Sequence, residues 1–291
     1  MIPIWILDGN DPFRLDYLVI AGGGGGSDYG GGGGGGAGGY LCAMPGEDSG
    51  GPSSSLAQII YYGGESITVT VGAGGSRLAN GNDSVFGNLT SIGGGRGADQ
   101  NTAVGNGGSG GGGASGNLVA GAGTMNQGNT GSDFVTSGSN YPASYQAGAG
   151  GGSRTEPVAS FDAGYGITSA ITGTSVARGG GGGGSAGSGV GRGGYGRDGG
   201  GNGAKNGYFG VTPTQATAGT TNSGGGGGGG YQGVYGLSTF AASGGAGIIV
   251  LRYPSYRRDI STIAAGLTYA KTTSGSFTVY TFTAGTGTIT F

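Results

Sequence analysis

The groups that do most protein chemistry are scarce in this chain. There is no histidine among its 291 residues, so the commonest general base and metal ligand is missing. A Ser-His-Asp or Cys-His arrangement cannot be assembled. Paired carboxylates do acid/base work without histidine, but the 14 acidic residues are dispersed along the chain, and a solvated surface accounts for them. The reading is therefore non-enzymatic, with no catalytic residues, no metal and no cofactor.

Three short patterns look like ligand sites and fail on context. Many stretches fit G-x-G-x-x-G, including residues 22–39 after an apolar run. A dinucleotide site also needs a following helix and an acidic residue about twenty positions on, and glycine blocks cannot supply that helix. Asn80-Gly-Asn-Asp-Ser-Val-Phe86 has the composition of one calcium-binding β-roll repeat. Such repeats work in tandem, and a turn between strands explains a single copy. Asn82 and Asn88 sit in N-x-[ST] sequons, with nothing beside them to indicate a secretory route.

Cys42 is the single cysteine, so no intramolecular disulfide forms and an oxidising compartment is not indicated. The 12 basic residues are scattered against a net charge of −2, too little for binding driven by phosphate neutralisation. No apolar stretch is long enough for a membrane-spanning helix.

Aromatic side chains carry more information. Tyr40, Tyr141, Tyr145, Tyr165, Tyr195, Tyr208, Tyr231 and Tyr235, with Phe209 and Phe240, lie in or beside segments between glycine blocks. Rings with a polar tip suit loops that bind sugars or protein surfaces. Tyr40 and Tyr231, flush against a block, are expected to seal the ends of a glycine stack. Tyr141, Tyr145, Tyr208 and Phe209, within longer insertions, are expected to contact a receptor.

Something must position those insertions, and the candidate is glycine itself. The chain has 84 glycines, with uninterrupted runs at 22–26, 30–36, 179–184 and 224–230. Glycine loses more backbone freedom on folding than any other residue and has no side chain to bury. An ordered chain of this kind needs an architecture that only glycine can enter. Extended left-handed helices with three residues per turn are one. Without a Cβ between them, such helices approach closely and hydrogen-bond backbone to backbone. Apolar residues form 34% of the chain and charged ones only 9%, which opposes disorder. Eight prolines and no Gly-X-Y register exclude collagen. Gly33, Gly112, Gly151, Gly182 and Gly227 are expected to lie inside the packed helices as scaffold positions.

The remaining segments read as strands. Phe13 to Ala21 is an apolar run for a buried strand, and Ser66 to Val71 alternates with period two. Ser84 to Ile92 suggests a strand pair, Tyr165–Ile171 has room for a helical turn, and Ala246 to Tyr253 restores a buried strand that Pro254 ends. The tail, Phe277–Thr283 and Thr288–Phe291 about Ala284–Gly287, reads as a hairpin. The expected fold is mostly irregular and all-β: packed polyglycine II helices framed by short strands, with a small C-terminal β-hairpin unit. Its divisions are an N-terminal docking peptide (1–12), a glycine-rich polyglycine II sandwich domain (13–254) and a small β unit (260–291), hinged at Pro254–Asp259.

Several phrases resemble a known family. Asp16-Tyr-Leu-Val-Ile-Ala followed by Gly22–Gly26, then Gly-Ala-Gly-Gly-Tyr40, resembles the opening of a glycine-rich domain common in bacteriophage tail proteins. So do Ile67-Thr-Val-Thr-Val-Gly-Ala-Gly-Gly75, Asn80-Gly-Asn-Asp-Ser84 and Gly247-Ile-Ile-Val-Leu-Arg-Tyr-Pro254. Tyr280 to Phe291 resembles a segment found with it. The wider group is similar to the tip adhesins of long tail fibres in T-even-like phages. The resemblance implies a rigid polyglycine II sandwich whose variable loops contact the host surface.

The implied function is a bacteriophage virion protein of the tail-fibre or adhesin type. It is expected in the virion, assembled in the host cytoplasm, with other tail-fibre or baseplate proteins and a bacterial surface receptor (protein or glycan) as partners. No nucleic acid or membrane insertion is expected, and homo-oligomerisation is open. The alternative is a structural component of the baseplate, tail or capsid decoration that contacts other virion proteins.

Overall fold

In the computed structural model the described residues are 12–291, without 52, 63, 137–144, 188–189, 191, 208–211 and 232–238. Sixteen strands, β1 to β16, are described among them, and no helix. The chain is all-β.

The alternating apolar runs of the sequence build a ten-stranded sheet. β1 (Phe13–Ile20) lies between β2 (Tyr40–Cys42) and β13 (Ile248–Pro254), antiparallel to both. Period-two geometry sends successive side chains to opposite faces, and each face has its own core. Leu15, Tyr17 and Val19 join Ile249, Leu251, Tyr253, Tyr280 and Phe282 in the larger cluster. Leu18 and Ile20 join Tyr40, Cys42, Ile248, Val250 and Val279 in the other. The charged neighbours Asp16 and Arg252 are cross-strand partners, with Nε 3.8 Å from Oδ2.

β16 (Phe277–Thr290) is one strand of 14 residues, where the sequence suggested a hairpin. Its first half runs between β13 and β15 (Thr268–Ser274), and its second half between β6 (Ser66–Val71) and β14 (Thr262–Ile263). Gly285 (φ +99°) marks the change of partners, a left-handed conformation that suits glycine. The hairpin turn falls instead at Gly275, between β15 and β16. The tail is thus no separate unit: Ile260, Leu267, Tyr280, Phe282 and Ile289 pack in one core with Leu15 and Val69. A shared core leaves no hinge at Pro254–Asp259. The helical turn suggested near Tyr165–Ile171 is likewise replaced by β11 (Ile167–Ser169), paired with β12 (Val176–Arg178). The pair formed by β7 (Ser84–Phe86) and β8 (Leu89–Ser91) matches the sequence reading.

Glycine segments extend from one end of this sheet. Gly22–Gly26 continues β1, Gly32–Gly39 leads into β2, and Gly244–Gly247 leads into β13. Their backbone N–H groups donate to three neighbours in turn, and the neighbour recurs every third residue. Gly22 donates to the Asn82 carbonyl and Gly25 to Ala79; Gly23 to Gly245 and Gly26 to Ala242; Gly24 to Gly36 and Ser27 to Gly33. The second segment repeats the pattern: Gly32, Gly35 and Gly38 donate to Gly230, Gly227 and Gly224. In both segments the partner therefore recurs at every third residue. Backbone polar groups that a sheet would satisfy on two sides are here satisfied on three.

Candidate functional site

The predicted scaffold glycines sit where backbones meet. The Gly33 N–H donates to the Ala98 carbonyl (3.0 Å), Gly112 to Gly34 (2.9 Å), Gly151 to Gly110 (3.0 Å), Gly182 to Gly35 (2.9 Å) and Gly227 to Gly24 (2.9 Å). A Cβ on any of the five would overlap a neighbouring backbone carbonyl: that of Gly112, Gly148, Asn129, Gly227 and Ala242 respectively. Any side chain there displaces main chain, which is why only glycine serves.

The predicted recognition rings fare differently. Tyr141, Tyr208 and Phe209 lie outside the described residues. Tyr145 is fully buried, which corrects its expected place on the surface. Its ring lies between Phe134 (centroids 6.1 Å) and Tyr231 (5.7 Å), stacked on each. The insertion that carries Tyr145 turns inward at β10 (Tyr145–Gln146) and resumes the glycine stack at Ala147, so the ring packs under the fold. Tyr40 and Tyr231 are buried, Tyr40 in the core beside β1.

Two other tyrosines of the set do reach solvent. Tyr165 is 40% and Tyr195 46% exposed, and they belong to an alternating series of rings and guanidinium groups. Arg192 Cζ lies 4.9 Å from the Phe161 ring centroid and 3.8 Å from that of Tyr195. Arg197 Cζ continues the series at 5.6 Å from Tyr195 and 5.0 Å from Tyr165. Guanidinium groups stack on aromatic faces through charge and shape together.

Asp162 locks one end of the series. Its carboxylate accepts from both terminal nitrogens of Arg192 (2.6 and 2.7 Å) and from the Tyr195 N–H (2.8 Å). Bidentate charge-assisted pairs of this kind fix geometry as well as energy. Burial pushes the Asp162 carboxyl upward, but the hydrogen bonds from Arg192 and Tyr195 and the nearby guanidinium charges outweigh it, leaving the pKa below the ordinary value. Arg192 is raised, chiefly by its bond to Asp162.

The glycine scaffold positions this group directly. The Gly181 N–H donates to the Gly164 carbonyl beside Tyr165, while the Gly181 carbonyl accepts from the Arg197 N–H. Ala163 donates to the Tyr195 carbonyl (2.9 Å). Beside the rings lies a cleft of about 490 Å³ bordered by Arg154, Thr155, Tyr165, Thr168 and Asp198. Asp198 holds a left-handed φ of +37°, a conformation more open to Asp than to most residues, and its Oδ2 accepts from the Gly166 N–H (2.8 Å). Arg154 also borders a second depression of about 340 Å³, with Asp48, Ser49, Ser53 and Ser54.

Sequence reasoning noted Tyr165 and Tyr195 without preferring them, and passed over Arg192 and Arg197. A signal was there in Arg192-Gly-Gly-Tyr195-Gly-Arg197-Asp198. Arg192 and Tyr195 stand three positions apart, the spacing at which hydrogen-bond partners recur in the glycine segments.

Compared with protein families, residues 10–254 match the model described as a glycine-rich domain. The chain belongs to that family. No curated protein and no solved structure matches it. The glycine-rich domain match ends at Pro254, yet β16, which lies beyond it, runs through the sheet that β1 and β13 begin. Among the described residues of this glycine-rich domain protein, no group of three His, Cys, Asp or Glu is placed to hold a metal ion.

Proposed function

We propose that this glycine-rich domain protein is a bacteriophage virion protein of the tail-fibre or adhesin type, non-enzymatic, presenting surface insertions to a receptor on the bacterial surface. In this reading the glycine segments are polyglycine II helices and form a rigid sandwich. The recurrence of hydrogen-bond partners at every third glycine is the observation that carries it. Such a scaffold is stabilised by main chain, so insertions between glycine blocks vary without costing the fold. The phrases shared with tail-protein domains supply the phage assignment, and the exposed Tyr165–Tyr195 group is the kind of surface such insertions would offer.

A second reading, a structural component contacting other virion proteins, draws support from an apolar patch about β6 to β8. Ile60 and Tyr62 are exposed beside an apolar depression lined by Ile59, Ile67, Phe86 and Leu89. Gold-labelled antibody against the protein on purified particles separates the two. Label at distal fibre tips supports the adhesin, label on the shell or tube supports the structural role, and unlabelled particles refute both.

A further inference from the structure

We infer that the cleft between Arg154, Tyr165 and Asp198, continued along Arg197 and Tyr195, is a binding site for hexopyranose glycans. Two features together point to a sugar. The first is a pair of exposed rings stacked with guanidinium groups: Arg197 Cζ lies over both Tyr165 and Tyr195, and Arg192 Cζ over Tyr195. Tyr165, 40% exposed at the cleft and met by one guanidinium among the described residues, offers a flat apolar surface to the C–H face of a sugar ring, at little cost in side-chain entropy on binding.

The second feature is the polar rim. Arg154 and Thr168 are exposed, and among the described residues the Arg154 guanidinium makes no hydrogen bond or ion pair. It brings five donors, Asp198 brings acceptors, and the threonine hydroxyls at 155 and 168 do both. Sugar hydroxyls also donate and accept, so a mixed rim satisfies them where a purely basic rim would select phosphate. Asp198 and Asp48 beside Arg154 make a nucleic-acid backbone the poorer ligand. Arg154 borders a second depression of about 340 Å³ as well, with Asp48 and three serines on its rim. Neither carboxylate is needed for bond cleavage here: the inference is binding alone.

This inference rests on the receptor reading only for the source of the glycan. The test uses the full chain on a printed array of defined hexose oligosaccharides and bacterial polysaccharides, followed by calorimetric titration of the best oligosaccharide. Tyr165→Ala and Arg154→Gln should each weaken that titration about tenfold or more with an unchanged melting temperature, and Tyr165→Phe should keep most of the affinity. Because Tyr195 is tied to Asp162, its variants are left out, and the exposed Arg154 and Thr168 positions keep the test valid if Tyr165→Ala does not fold. No array binding by the native chain, or binding indifferent to Arg154→Gln and Thr168→Ala, overturns the inference. Retention of a phosphorylated oligonucleotide in preference to every glycan also overturns it. Particle labelling at fibre tips without glycan binding would sink the cleft and leave the adhesin reading standing; glycan binding by a chain that particles lack would do the reverse.

Discussion

Gly182 and Gly227 stand so close that a Cβ on the first would lie inside the carbonyl of the second. Gly182 also donates to the Gly35 carbonyl (2.9 Å) and accepts from the Gly150 N–H (2.9 Å). Three segments distant in sequence thus meet at one residue. Gly182→Val forces them apart, and each buried backbone group left without a partner costs about 1–3 kcal/mol. The expected outcome is a loss of several kcal/mol or no folded protein, read by chemical denaturation. Thr272→Val, on the exposed strand β15, serves as the control and should be close to neutral. Equal, small effects at both positions would mean that the glycine runs are not a packed scaffold.

Tyr145 is the second test, because burial assigns it to the core. Removing its ring leaves a cavity against Phe134 and Tyr231, and large aromatic-to-alanine changes in cores cost about 3–5 kcal/mol. Tyr145→Ala should lower the melting temperature sharply. A variant that melts like the native chain would return Tyr145 to the surface.

The tail gives a third. Phe282 is fully buried and opposite Ile249, so Phe282→Ala should cost about 3–5 kcal/mol. Removing residues 255–291 should prevent folding altogether, since Ile260, Leu267, Tyr280, Phe282 and Ile289 leave the core together. Limited proteolysis of the shortened chain checks this. A protease-resistant core ending at Pro254 would show that the matched region folds alone.

The fourth concerns alkaline pH. Burial pushes the Cys42 thiol from 9.0 up to about 12, with the Glu47 carboxylate adding to the rise and a backbone hydrogen bond at Met44 opposing it. Burial also raises Tyr40 and Tyr253. Above pH 9 the unfolded chain releases these protons while the native chain retains them. Their contribution to stability is complete below the unfolded values and is lost as pH climbs through the folded ones. Melting temperature should hold through pH 8 and fall from about pH 9 upward, and a thiol reagent should reach Cys42 only after unfolding. Immediate labelling of the native protein at pH 8 would contradict this.

How legible was this in the sequence? Strands with strong local patterns were readable: Ser66–Val71 alternates, and Tyr17–Ile20 in β1 is apolar on both faces because two cores meet across it. Glycine runs announced close backbone approach by exclusion, once the low charge had set disorder aside and the missing Gly-X-Y register had set collagen aside. The tail was misread because its neighbours are remote: Gly285 resembles a hairpin turn locally, and only pairing with Val71 makes it part of a long strand. Tyr145 was misread for a similar reason, since the ring that covers it belongs to Tyr231. The Arg192–Tyr195 stack was within reach, needing only the three-residue period carried through to its side chains.

The placement of β16 also bears on time. A ribosome delivers β1 some 260 residues before the strand that runs through the middle of its sheet, as the positions of Phe13 and Phe277 show. Until Phe277–Thr290 emerges, β13 and β6 each present an unpaired edge, and exposed edges recruit other chains. Pairings this remote in sequence also form slowly, because loop closure must come first. The nascent protein therefore spends its synthesis as a set of glycine segments and open strands, and its yield depends on how long that interval lasts and on what shields those edges meanwhile.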